Sequence, residues 1–77
     1  MAIYKYGNLL QQEQGQEFDA VHSPGAVTPL SGIYRCIGCG HSIVSTHSHP
    51  FPPQNHHQHA AGQGPIRWQL VVKTTLR

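Results

Sequence analysis

The most regular alternation of apolar and polar positions lies near the end of the 77-residue chain, in IRWQLVVKT at 66–74. A period of two predicts a strand with Ile66, Trp68, Leu70 and Val72 facing inward and Arg67, Gln69 and Lys73 facing water. Trp68 is then the largest single contributor to the core. A second candidate is GIYRC at 32–36, with Ile33 and Arg35 on one side and Tyr34 and Cys36 on the other. HSIVST at 41–46 is its natural return strand, which places CIGCG at the bend of a hairpin.

The remaining stretches are weaker. FDAV at 18–21 alternates as a short edge strand would, and Pro24-Gly25 fits a type II turn, with proline setting φ at the first central position and glycine accepting positive φ at the second. HPFPP at 49–53 cannot continue a central strand because its prolines lack donors. NHHQHAAGQGP at 55–65 reads as an irregular loop. At the N-terminus, NLLQQEQGQE could open a helix at Asn8, but Gly15 interrupts it and two leucines make a poor apolar stripe. Residues 8–17 are therefore expected to be one loose turn or a mobile segment, and residues 1–6 a short strand or a disordered tail, so that 1–17 as a whole could be mobile. The expected fold class is all-β: one small antiparallel domain with long loops, spanning 1–77.

Composition adds a constraint. A chain this short buries only roughly 60% of the surface exposed when unfolded. Leu, Ile, Val and Phe total 17 residues, and charged residues only 10%. A thin core without charge repulsion points to a fold that uses a cross-link, and the candidates are two cysteines and seven histidines. The net charge of +2 comes from scattered residues, so nothing compels nucleic-acid binding. No apolar run approaches the about 18 residues of a membrane span, and MAIYKYGNLL lacks a signal peptide's apolar stretch. A soluble cytoplasmic protein is expected. There a CxxC is more often a ligand or redox pair than a structural disulfide.

Zinc takes four ligands in a tetrahedron and accepts thiolate sulfur and imidazole nitrogen. Cys36 and Cys39 can approach one ion from a tight bend, and Gly40 lets the chain turn without a Cβ penalty. No third cysteine exists, so the second pair must be histidines. His56 and His59 reproduce the two-residue spacing of the cysteines, which makes Cys36, Cys39, His56 and His59 the expected Zn2+ ligands. His57 with His59 is a close rival, and a choice using His49 is open; His41 and His47 are further candidates and His22 is remote. Exposed polar histidines in a Gln-, Gly- and Pro-rich loop are the plain alternative. A redox dithiol usually begins a helix, whereas Gly40 and a strand-like segment follow Cys39.

The run YRCIGCG, then FPP, then a second potential ligand pair and a closing aromatic strand resembles the zinc-ribbon group of small bacterial proteins. Its pattern is a CxxCG hairpin, a PPC lead-in to a second CxxC, and a final strand. The resemblance covers 31–74 and implies a zinc-ribbon-like core with Cys36 and Cys39 as ligands. The second half departs from the pattern: Gln54 stands where a cysteine is expected, and His57 falls where the next would be. Because such proteins mostly lack a characterised function, the resemblance implies a metal and a fold, not a task.

Two classes of function follow. The first is a binding or adaptor module with structural zinc and an unknown protein partner, with nucleic acid a subordinate possibility through Arg35, Arg67 and Lys73. The second is a small metal-dependent or thiol enzyme, with His49 or His56 as base. The reading leans away from an enzyme, because the only carboxylates, Glu13, Glu17 and Asp19, lie in the N-terminal third and no HExxH is present.

Overall fold

The computed structural model describes residues 2–52, 59 and 62–74. The protein is a small all-β domain built on one four-stranded antiparallel sheet. The strands are β1 (Val21–His22), β2 (Gly32–Cys36), β3 (Ser42–Ser45) and β4 (Trp68–Lys73), in the order β1-β4-β2-β3. The hairpin of β2 and β3 matches the alternation of its side chains, and the closing strand β4 forms within the expected 66–74 stretch. Phe18 does not join a strand with Val21: it ends a single 3-10 turn, Gln16–Phe18, and only Val21 and His22 pair with β4. The expected loose turn near Asn8 is a 3-10 turn at Gly7–Leu9.

β4 departs from simple alternation. Ile33 pairs with Val72 and Tyr34 with Leu70, which leaves Val71 as the extra residue of a bulge. A bulge shifts the alternation of everything beyond it. Val72 consequently shares the outer side of the sheet with Ile33 instead of facing inward, and Lys73, opposite Gly32, turns toward the core side instead of standing in water. There its ammonium lies 5.9 Å from the Phe18 ring centroid and ion-pairs with Glu17. The same turn is tied to β4 by Gln69, whose Nε2 donates to the Phe18 carbonyl at 2.8 Å.

The core lies on one side of the sheet and comprises Tyr34, Cys36, Phe51, Ile66, Trp68 and Leu70, with Phe18, Ala26 and Ile43 packed against it. Phe51 arrives from outside the sheet. The type II turn at Pro24-Gly25 forms, with Gly25 at φ +80° and the Ala26 amide donating to the Ser23 carbonyl. The chain then runs beside 48–51: the Phe51 amide donates to Ala26 and the Thr28 amide to His49, each at 2.8 Å. That ladder seats Phe51 edge-on to Tyr34, at 4.8 Å between centroids, and stacked on His22. The Tyr34 hydroxyl donates to the Leu30 carbonyl at 2.6 Å, and Thr28 and Ser45 share a buried hydroxyl bond of 2.5 Å. A thin apolar layer, with the hydroxyls of Thr28, Ser45 and Tyr34 paired, is what 77 residues can assemble.

Candidate metal centre

The bend between β2 and β3 is closed by its own backbone. The Gly40 amide donates to the Cys36 carbonyl at 2.7 Å, and the Cys36 amide to the His41 carbonyl at 2.7 Å. Gly40 has φ +82°, a conformation that glycine adopts without a Cβ penalty. The Ile37 amide donates to the Arg67 carbonyl at 3.0 Å, which ties the bend to the entry of β4. Cys36 is completely buried, because it is the last inward position of β2 opposite Trp68, whereas Cys39 is exposed. The two are not joined in a disulfide.

His59 completes the cluster. Its Nε2 lies 3.2 Å from the Cys36 sulfur, and its Nδ1 lies 2.6 Å from the Gly64 carbonyl oxygen. A carbonyl can only accept, so Nδ1 is the donor of that bond and Nε2 is the nitrogen that faces the sulfur. A metal-ligating histidine is held by this same kind of second contact. One ligand atom from each of Cys36, Cys39 and His59 lies within 4.8 Å of the others. Two sulfurs and a nitrogen on one tetrahedral zinc stand about 3.5–3.8 Å apart, from bond lengths of about 2.3 and 2.0–2.1 Å. The 4.8 Å limit on the three separations encloses that range, the Cys36–His59 distance of 3.2 Å falls a little below it, and the three side chains could hold a metal ion.

Gly38 makes the approach of His59 possible. A Cβ built there would lie 2.7 Å from the His59 Cε1 and 2.7 Å from the Gln63 carbonyl oxygen. Neither Gly38 nor the Gly64 carbonyl is singled out by ligand spacing. The available signal was the glycine inside CIGC, where the imidazole passes over bare backbone.

The sequence candidates divide as follows. Cys36, Cys39 and His59 come together, while His56 and its rival His57 lie outside the described residues. His41 adjoins the bend and is exposed, but it is not part of the three-residue group. With Arg35, Cys39, Gly40 and Ser42 it lines a shallow groove on the outer side. His47 and His49 lie past the opposite end of β3, whose four residues span about 13 Å. There the His47 Nδ1 is 3.0 Å from the Ser48 hydroxyl, and the His47 amide donates to Ser31. His22 stacks on Phe51, so its ring is a packing element.

Among the described residues, no helix is long and apolar enough to cross a membrane. No protein-family model and no solved structure matches the chain. A protein of Escherichia coli named Protein L is 57% identical over 53 residues, which is 69% of this chain and 60% of Protein L. The match thus covers less than two thirds of that relative's own length, and the chain is similar to a relative whose name states no activity.

Proposed function

We propose that the chain is a small zinc-binding protein in which the metal is structural, working in the cytoplasm as a binding or adaptor module. The carrying observation is the convergence of the Cys36 and Cys39 sulfurs on His59, whose Nδ1 is engaged by Gly64 so that Nε2 faces the cluster. Thiolate with imidazole is a donor set that zinc favours over magnesium, calcium or manganese. We assign the fourth ligand to His56 on its spacing from His59. Four protein ligands make a closed site, and a closed site is structural.

Position in the chain supports the same role. The cluster joins the β2–β3 bend to the segment that enters β4, and through Cys36 it is continuous with the buried core. Structural zinc in small domains contributes about 10–16 kcal/mol at neutral pH. Net stabilities of whole domains are about 5–15 kcal/mol. The metal would decide whether such a domain folds. Resemblance of YRCIGCG to zinc ribbons points the same way.

For the partner, we favour protein over nucleic acid. Lys73 is engaged by Glu17 across the core side, which leaves Arg35 on β2 and Arg67 just before β4, a weak electrostatic footprint. Metal content by mass spectrometry tests the site. One equivalent of zinc is expected in the native chain, with loss in Cys36→Ser, Cys39→Ser, His59→Ala and His56→Ala; a metal-free native protein, purified without chelator, would defeat the proposal.

One observation favours a second reading. The chain of contacts from the Cys36 sulfur through His59 to the Gly64 carbonyl has the order of a thiol, its base and the group that orients the base. Burial of Cys36 weighs against it, because a substrate cannot reach the sulfur. Rapid alkylation of Cys36 in the folded protein would revive the thiol-enzyme reading.

A further inference from the structure

The two candidate sulfur ligands differ in one property that matters to an oxidant. Cys36 has no exposed surface, while Cys39 is exposed at the surface of the bend and lines the shallow outer groove with Arg35 and His41. Their sulfurs lie within 4.8 Å, and a disulfide requires about 2.05 Å. Only two residues separate them, and Gly38 and Gly40 flank Cys39's side of the bend. Reaction of an exposed thiol backed by a second thiol within a few ångströms is the arrangement of an attacking cysteine and its resolving partner.

We propose that Cys39 is a site of oxidation by hydrogen peroxide or small hydroperoxides, resolved by Cys36 as an intramolecular disulfide, and that this reaction empties the metal site. The metal half of the proposal rests on the zinc-binding reading. The Cys39 sulfur attacks one peroxide oxygen, the O–O bond breaks, and a sulfenic acid and one water form. The Cys36 sulfur then attacks the sulfenic sulfur, the S–O bond breaks, and a second water leaves. Two thiols and one hydrogen peroxide thus give one disulfide and two waters, with the peroxide reduced by the two electrons that the sulfurs lose. A disulfide sulfur is no longer a thiolate ligand. Two of the three converging donors are lost together, and the imidazole donors that remain are too few to retain the ion.

The test uses the full chain in two forms, zinc-loaded and metal-free, exposed to hydrogen peroxide. Intact mass is read without reductant, and released zinc is read with a chromogenic chelator. Expected results are the loss of two hydrogens in both forms, release of one equivalent of zinc, and recovery of both by dithiothreitol and added zinc. Cys39→Ser, at an exposed position, is expected to abolish the loss of two hydrogens. Brief iodoacetamide labelling of the wild-type chain, mapped by peptide mass, is expected to modify Cys39 at least tenfold faster than Cys36. Gain of oxygen without disulfide, retention of zinc in the disulfide form, or faster labelling of Cys36 would each overturn the proposal. Failure of the zinc reading shows separately, as a protein that takes up no zinc before peroxide is added; release is then impossible, and the metal-free arm still decides the disulfide.

Discussion

Replacing Gly38 by alanine adds one methyl group at the point where His59 crosses the bend. The new Cβ would stand 2.7 Å from the His59 Cε1 and 2.7 Å from the Gln63 carbonyl oxygen, whereas ordinary contact begins at 3.4 Å. Both neighbours must therefore retreat by about 0.7 Å, the difference of those distances. Metal–ligand bonds tolerate deviations of only about 0.2 Å. Gln63 presents backbone and His59 is held by Gly64, so neither gives way as the tip of a flexible side chain would. Overpacking of this kind costs about 1–3 kcal/mol. If the cost falls on the metal-bound form, it corresponds to roughly a 5- to 150-fold weaker zinc affinity, at about 1.4 kcal/mol per tenfold. Competitive titration against a chromogenic chelator reads this directly. Gly25→Ala is the control: it places a side chain at φ +80° in a turn with nothing within 4 Å, so it should lower stability without changing affinity. A folded Gly38→Ala protein that binds zinc within twofold of wild type would refute the placement of His59.

Three further outcomes follow from the packing. Thr28→Val leaves the buried Ser45 hydroxyl without its 2.5 Å partner and should cost about 1–3 kcal/mol in urea unfolding; no change would mean that the pair is solvated. Burial holds the Tyr34 phenol above its ordinary pKa of 10.0. Because the folded value is raised, the contribution is complete below pH 10 and declines as pH rises toward the folded value; Tyr34→Phe should flatten that alkaline decline in melting temperature. The hydrogen bond from Lys73 holds the Glu17 carboxyl below its ordinary 4.5, so its contribution is present above that value and fades as pH falls through the lowered one. Glu17→Gln should reduce the acid slope of the melting temperature, and an identical slope would place the pair outside the folding equilibrium.

The β2–β3 hairpin was legible because GIYRC and SIVS carry alternating, β-rich residues around a glycine-containing bend. Trp68 and Leu70 were legible as core for the same reason. Val72 and Lys73 were not: the run LVV has no polar residue to mark where the alternation slips, and the bulge at Val71 depends on pairing with a strand more than thirty residues away. Nor could alternation reveal that two residues, Val21 and His22, would become the edge beside β4. At the candidate centre, the cysteines and His59 were legible from ligand chemistry and spacing. Gly38 was overlooked because its role is an absent side chain, apparent only once the ring above it is placed.

The three contacts around His59 give the centre its physical logic. Gly64 engages one nitrogen, bare backbone at Gly38 admits the ring, and the buried Cys36 sulfur receives the other nitrogen. Zinc would convert that meeting of bend and loop into a cross-link for a core too thin to need no help. X-ray absorption spectroscopy of the zinc-loaded chain tests this most directly. Two sulfur scatterers at about 2.3 Å with nitrogen at about 2.0–2.1 Å are predicted, and the imidazole signal should diminish in His59→Ala. A shell of nitrogen and oxygen alone, or one unchanged by that substitution, would contradict the account.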